Sequence, residues 1–144
     1  MKAAASKRFV LDASVAVAWC FEDEATKFTE RVLDLFSAGA EALVPAIWPV
    51  EVANALLIAE RRNRILLAQV TALLQRIAAL PIAVLPIDSF RAFDHILPVA
   101  RQHSLSGYDA AYLELALRQG LPLATLDEQL RRAAKTTGVV LLSN

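Results

Sequence analysis

Four acidic residues stand where a parallel α/β sheet would bring carboxylates together. They are Asp12, which ends an apolar run; Asp127, which follows a second one; Asp109, which opens an apolar segment; and Glu51, which lies inside one. In such a sheet, strand C-termini and the N-termini of the following helices share one edge, so these side chains should converge. Two bare carboxylates about 4 Å apart repel by roughly 4 kcal/mol at an effective dielectric near 20, so four together require a cation. Oxygen-only ligands select Mg²⁺ or Mn²⁺ rather than Zn²⁺, and such a site can activate water and clamp a phosphodiester.

Three of the four residues also have an interpretation as parts of helix caps. Asp is a preferred N-cap residue, and both Asp12 and Asp127 precede segments that can be helical. Ser106 and Asp109 have the spacing of a capping box before an apolar helix. One residue can both cap a helix and bind a cation, because the helix dipole favours an anion there. For each residue taken alone both interpretations stay open, so the metal site depends on the joint pattern.

Glu51 is harder to explain as a surface charge. Within the segment Trp48–Ile58, only Glu51 and Asn54 interrupt the apolar surface, and residues three apart lie on one helix face. A helix that is apolar nearly all round is expected to be buried. A buried glutamate must be paired, protonated or bound to a cation. The alternative is a polar surface stripe of Glu51, Asn54 and Arg61.

Composition restricts the class of protein. The chain has 144 residues, is 56% hydrophobic, and carries 15 basic against 15 acidic residues, which fits one domain with a large core and no net charge. The lone Cys20 permits no intramolecular disulfide and fits a reducing cytoplasm, and no charge-free apolar segment is long enough to span a bilayer. Zero net charge argues against a protein whose whole surface is basic and binds nucleic acid. Any contact with phosphate therefore needs a local basic cluster. The candidate clusters are Arg61, Arg62 and Arg64, and Arg131, Arg132 and Lys135.

Short apolar runs alternate with helix-length segments along the whole chain. Strands are predicted at 8–12, 42–44, 82–85, 121–125 and 139–142. Helices are predicted at 13–21 (a short helix or turn), 26–38, 47–63, 66–80, 88–103, 106–119 and 127–135. The alternation predicts a single three-layer α/β/α domain over residues 1–144 with a central parallel sheet.

The stretches around the four acids resemble those of a known family, the PIN-domain ribonucleases, and within it the VapC-type toxins of toxin–antitoxin pairs. The similar stretches occur in the family's order. They are Phe9-Val10-Leu11-Asp12-Ala13-Ser14, Val50-Glu51-Val52-Ala53-Asn54-Ala55-Leu56, Ser106-Gly107-Tyr108-Asp109-Ala110-Ala111-Tyr112 and Thr125-Leu126-Asp127. The resemblance implies a five-stranded parallel sheet in the order 3-2-1-4-5 and Mg²⁺- or Mn²⁺-dependent endonucleolytic cleavage of RNA.

The resemblance also implies roles for individual residues. Asp12, Glu51, Asp109 and Asp127 match the family's acidic metal-site positions, and are therefore the expected catalytic and metal-binding residues. Ser14 and Thr125 match small hydroxyl positions beside them, and Asn54 is a further candidate to orient carboxylates or water. Family members commonly pair as homodimers and are inhibited by a cognate antitoxin, so a VapB-like antitoxin and a second copy of the chain are the expected partners.

Two other classes of protein stay open. A metal-dependent phosphoryl-transfer enzyme of another kind, such as a haloacid-dehalogenase-type phosphatase, would require Asp-x-Asp after the first strand, whereas Asp12 is followed by Ala13 and Ser14. A non-enzymatic α/β interaction module would use the four acids as caps or surface charges. The module predicts no cation-dependent change in stability, whereas a metal enzyme gains stability by mass action.

Overall fold

The computed structural model of the chain describes residues 7–142. At its centre lies a parallel sheet of four strands in the spatial order β3-β2-β1-β4. The strands are β1 (Arg8–Leu11), β2 (Glu41–Pro45), β3 (Ile82–Leu85) and β4 (Leu123–Ala124). In the middle of the sheet, Val10 lies opposite Leu43 on one side and opposite Leu123 on the other. Because every pairing is parallel, the C-terminal ends of all four strands face one edge.

The predicted fifth strand is reduced to an isolated bridge, so the predicted number of strands was wrong for the described residues. Leu141 forms a parallel bridge with Leu123. Two backbone hydrogen bonds of 2.9 Å flank it, from the Leu123 amide to the Val140 carbonyl and from the Leu142 amide to the Leu123 carbonyl. The segment lies beside β4, where the order 3-2-1-4-5 places it. Since β4 is only two residues long, it offers no ladder for a longer fifth strand.

Seven α-helices and one π-helical segment surround the sheet in the described part of the chain. The α-helices are α1 (Ala13–Ala18), α2 (Lys27–Ser37), α3 (Trp48–Arg61), α4 (Leu67–Ala78), α5 (Leu97–His103), α6 (Gly107–Gln119) and α7 (Glu128–Thr137). The fold class is therefore the predicted α/β class with a parallel sheet. Within residues 7–142, no helix combines the length and apolar character needed to cross a membrane.

The centre of the sheet is covered on both faces. Successive strand residues point to opposite faces, yet Phe9, Val10 and Leu11 of β1 are all buried. Ala42 and Leu43 of β2 are buried in the same way, as expected for the interior of a parallel sheet. Helix α6 packs against β1, β2 and β4, and it has more buried residues than any other helix in the described part of the chain. This buried helix places its first turn at the edge where the strands end.

The helix predicted at 88–103 contains an irregular turn. A π-helical segment, Arg91–Ile96, leads directly into α5, and Pro98 lies in the first turn of α5. Proline has no amide hydrogen, so the carbonyl four residues earlier loses its usual donor. A proline inside a helix would be expected to kink it, and here the wider π-helical turn directly precedes Pro98.

Helix α3 is buried on one face only, which corrects the expectation of burial all round. Trp48 and Val52 are buried, but Val50 is 68% exposed and Leu57 and Ile58 are also exposed. Helix α4 packs against α3 and contains no buried residue. The apolar surface of these two helices is therefore larger than the described residues cover.

Candidate active site

Each of the four carboxylates lies at, or in the first turn of, a helix. Asp12 follows β1 and precedes α1, Glu51 lies in the first turn of α3 after β2, and Asp127 is the N-cap of α7 after β4. Asp109 lies in the first turn of α6. The partial positive charge of a helix N-terminus stabilises a carboxylate by about 0.3–1 kcal/mol. The fold therefore delivers all four side chains from the edge where the parallel strands end.

Asp12 is buried and is held by two hydroxyl groups. Asp12 is only 5% exposed. The Ser14 hydroxyl donates to Asp12 Oδ2 at 2.6 Å, and the Thr125 hydroxyl donates to the same oxygen at 2.7 Å. These are the two hydroxyl residues that the resemblance placed beside the acids, and both contact a predicted site residue.

The same hydroxyls also fix the loop that carries Asp127. Ser14 Oγ accepts a hydrogen bond from the Leu126 amide at 3.0 Å, and Thr125 Oγ1 accepts one from the Asp127 amide at 3.0 Å. Each hydroxyl thus donates to Asp12 and accepts from the loop after β4. The Asp12 amide completes the connection, because it donates to the Ala124 carbonyl at 3.0 Å. Asp12 and the loop are consequently held as one unit.

Glu51 is held by a residue to which the sequence analysis assigned no role. Tyr112 of α6 is fully buried, and its hydroxyl donates a hydrogen bond to Glu51 Oε1. Tyr112 follows Asp109 by three positions, so both lie on the same face of α6. That spacing was the available signal for Tyr112, but nothing in the sequence linked it to Glu51.

The carboxylates perturb one another electrostatically. Burial, together with the charges of Asp127, Asp12 and Glu51, raises the pKa of Asp109 to about 6. Burial also raises the pKa of Asp12, although the Ser14 and Thr125 hydroxyls oppose the rise. The pKa of Glu51 is raised by burial and by Asp12, against the Tyr112 hydrogen bond. The four side chains therefore lie close enough to repel.

The donor set fits a hard divalent cation in its chemistry. Carboxylate and hydroxyl oxygens are the groups that Mg²⁺ and Mn²⁺ prefer, and a cation would offset the repulsion described above. Within residues 7–142, however, no three His, Cys, Asp or Glu side chains are arranged so that they could hold one ion. The ligand geometry stays a prediction.

Sequence comparison assigns the family. The profile of the PIN domain matches residues 9–136, a range that includes all four acidic residues. The chain belongs to the PIN domain family. A search of curated proteins finds no match.

Solved structures share the fold of this PIN domain at low sequence identity. The protein PAE2754 from Pyrobaculum aerophilum is 24% identical with a TM-score of 0.71, over 94% of this chain and 83% of that one. A toxin-antitoxin complex from Klebsiella pneumoniae matches at 16% identity and a TM-score of 0.63, over 94% and 98%. VapBC2 from Rickettsia felis, bound to a DNA fragment from their promoter, matches at 12% identity and a TM-score of 0.65, over 93% and 96%.

In the PIN domain, the helix-cap interpretation holds for Asp127 but not for Asp12. Asp127 Oδ1 accepts from the Leu130 amide at 2.8 Å, so this residue does cap α7 with one oxygen. Ser106 caps α6 by accepting from the Asp109 amide at 3.0 Å, which makes the serine the cap. Asp12 makes no side-chain cap bond with α1. Capping therefore accounts for one oxygen of Asp127 and not for Asp12.

Neither Asn54 nor Arg64, a member of the first basic cluster, forms a hydrogen bond or salt bridge with the four acids in the described part of the chain. Asn54 is exposed, and among the described residues its side chain forms no hydrogen bond, so its supporting role stays a prediction. Arg64 is engaged elsewhere, because it pairs with Asp23 at 2.8 Å and with Glu24 at 2.7 Å and stacks over Phe21 at 4.0 Å. Arg64 is thus a poor candidate for gripping a phosphate.

A further buried carboxylate, Glu114, was not anticipated from the sequence. It lies on α6 and is 6% exposed, and it pairs at 3.0 Å with both Arg91 and Arg118. Two guanidinium groups neutralise it and tie the π-helical segment to α6. Glu114 therefore differs from Asp12, Glu51 and Asp127, to which the described residues supply hydroxyl and amide donors instead of cations.

Proposed function

We propose that this PIN domain is a Mg²⁺- or Mn²⁺-dependent endoribonuclease and the VapC-type toxin of a toxin–antitoxin pair. PIN domains are generally nucleases. The observation that carries the proposal is the set of four mutually repelling carboxylates, Asp12, Glu51, Asp109 and Asp127, delivered by four helices to one edge of the sheet. An arrangement that costs stability by itself is explained by a cation that the reaction needs.

The chain's own residues prepare the site for the cation. When bound, Mg²⁺ or Mn²⁺ would supply a Lewis acid that activates water and offsets charge on the scissile phosphodiester. Ser14 and Thr125 orient Asp12, and Tyr112 orients Glu51, through the hydrogen bonds described above. Ligands held in place beforehand lose less conformational freedom when the cation binds, which favours binding.

Exposed apolar surface supports protein partners. One group of exposed residues lies on α3 and α4, and a second lies around the π-helical segment and α5; they include Leu57, Ile58, Leu67 and Leu74, and Phe90, Phe93 and Leu97. Large apolar side chains exposed on neighbouring helices are typical of surfaces that bind a partner. Two of the similar structures are a toxin-antitoxin complex and VapBC2. We propose that the partners of this chain are a VapB-like antitoxin and a second copy of the chain. We also propose that residues 1–144 form one domain and that it acts in the cytoplasm.

Cleavage of RNA by the partner-free protein tests the proposal. The purified protein, freed of any co-purifying antitoxin, is incubated with RNA in Mg²⁺, in Mn²⁺ and in excess EDTA. Asp109→Asn is the test variant, and Asp34→Asn is the matched control because Asp34 is an exposed carboxylate of α2. We expect metal-dependent cleavage by the wild type and the control, and none by Asp109→Asn.

Other outcomes distinguish the alternatives. Equal cleavage by the wild type and Asp109→Asn would indicate a contaminating nuclease. Metal-dependent hydrolysis of a phosphomonoester without RNA cleavage would favour a phosphatase. A folded protein that cleaves no RNA and whose melting temperature does not respond to Mg²⁺ or Mn²⁺ would favour the interaction module.

A further inference from the structure

We propose that a basic groove beside the carboxylates binds the phosphate backbone of single-stranded RNA. This inference rests on the proposed function and adds the residues that hold the substrate. The groove has a volume of about 580 Å³ and lies between the first turns of α2 and α7. Its charged lining consists of Lys27, Arg31 and Arg131, with Glu128 as the one carboxylate.

The cations of the groove outnumber its carboxylate by three to one among the described lining residues. Lys27 and Arg31 are four residues apart on α2, so they lie on one face and repel each other. Among the described residues, neither they nor Arg131 forms a salt bridge. The N-terminus of α2 opens into the same groove and adds a partial positive charge. Like charges gathered in a concave surface are stabilised by a polyanion.

The groove and the carboxylates share the loop after β4. Leu126 lines the groove, and its amide donates to Ser14 Oγ, the hydroxyl that holds Asp12. Arg131 lines the groove as well, and its Nη1 donates to the Thr125 carbonyl at 3.2 Å. A nucleic-acid strand with one phosphate at the carboxylates would therefore pass next into the groove.

The chemistry of the lining favours backbone recognition. Lysine and arginine bind phosphate oxygens through charge-assisted hydrogen bonds that carry no sequence information. The aromatic residue of the lining, Phe28, is buried and therefore offers no exposed ring on which a base could stack. The net charge of the chain is zero, so this local concentration of cations is not a reflection of overall composition. The groove is expected to hold RNA without selecting its sequence.

RNA binding by groove variants tests the inference. A fluorescently labelled single-stranded RNA of about 12 nucleotides is titrated in EDTA, so that no cleavage occurs, over a range of KCl concentrations. The test variants are Lys27→Gln and Arg31→Gln, both on the exposed face of α2. The matched control is Arg132→Gln, because Arg132 is exposed and adjacent to Arg131 but does not line the groove.

We expect each test variant to weaken binding about three- to tenfold at low salt for every RNA sequence, and to reduce the slope of log affinity against log salt by about 0.7 per lost phosphate contact. Arg132→Gln should bind as the wild type does. Unchanged affinity and slope in both test variants would overturn the proposal that the groove binds RNA. An equal loss of affinity in all three variants would also overturn it, because it would show that RNA responds to the overall charge of the surface. A loss of antitoxin binding with RNA binding unchanged would also overturn it, in favour of an acidic protein segment.

The result is separable from the proposed function. If the wild type cleaves RNA and the two groove variants bind and cleave as it does, the groove fails and the nuclease stands. If the wild type cleaves nothing while Lys27→Gln and Arg31→Gln still weaken RNA binding, the nuclease fails and the groove stands.

Discussion

Replacing Asp109 by asparagine should stabilise the metal-free protein at neutral pH. Asparagine keeps the size of the side chain and removes the charge that Asp127, Asp12 and Glu51 repel. The side chain is only partly buried, and the described cap of α6 comes from Ser106 and the Asp109 amide, which the substitution leaves in place. A residue needed for catalysis would then be one whose charge costs the fold stability.

The size of the effect follows from the pKa. A rise from 3.8 to about 6 corresponds to about 3 kcal/mol if it is converted in full. Because the side chain is partly solvated, screening reduces this to about 1 kcal/mol. The folded protein holds the proton more tightly than the unfolded chain, so the stabilising contribution of Asp109 is fully present below pH 3.8 and is lost as the pH rises through about 6. The advantage of Asp109→Asn should therefore grow between about pH 4 and 6 and level off above about pH 7.

Urea denaturation in EDTA, at several pH values between about 4.5 and 7.5, measures this difference. Asp34→Asn serves as the control, and its difference from the wild type should not follow the same pH profile. Excess Mg²⁺ should reverse the order, since at a hundred times Kd a bound ion adds about 2.7 kcal/mol to the wild type. A variant that is less stable than the wild type at every pH, or a gain that does not change with pH, would refute the argument that burial and repulsion make the charge of Asp109 destabilising, and would return Asp109 to a structural role.

Two hydrogen-bond donors of the site supply the other expectations. Thr125→Val keeps the side-chain shape but removes the hydroxyl that donates to Asp12, so the free energy of unfolding in urea should fall by about 1–3 kcal/mol and most of the cleavage activity should be lost. Thr125→Ser should restore the stability and the activity. If it does not, the role of Thr125 is in packing. Tyr112→Phe should leave the fold intact but weaken Mg²⁺ binding roughly tenfold, because Glu51 loses its donor. Metal titrations followed by melting temperature measure this, and unchanged affinity would show that Glu51 needs no such support.

Elements bounded by strong local signals could be predicted from the sequence. The predicted strand 82–85 coincides with β3, which follows Pro81, and the predicted helix 26–38 differs from α2 by one residue at each end. Thr26 begins α2 with a reciprocal pair of hydrogen bonds to Thr29, a pattern encoded in neighbouring residues. The location of the acids at helix N-termini follows from the same local rules.

Features that depend on distant residues could not be predicted. The apolar sequence of α3 is compatible with burial inside the chain and with an exposed surface that a partner covers, and only the structure distinguishes these for Leu57 and Ile58. The hydrogen bond between Tyr112 and Glu51 joins residues 61 positions apart. The prediction of a full fifth strand was wrong because the length of a strand depends on its partner strand, and β4 is two residues long.

The hydrogen bonds of the site divide the carboxylates into two kinds. Asp12 and Glu51 accept from side chains of other elements, Thr125 and Tyr112, so their positions are set by the packing of the whole domain. Asp127 gives one oxygen to its own helix, and Asp109 is the carboxylate on which the charges of the other three converge. A cation at this edge would therefore meet two carboxylates, Asp12 and Glu51, that are already oriented, and would offset the repulsion at Asp109. The fold can tolerate the cluster for two reasons: hydroxyl groups of other residues stabilise Asp12 and Glu51, and solvent partly screens the charge of Asp109.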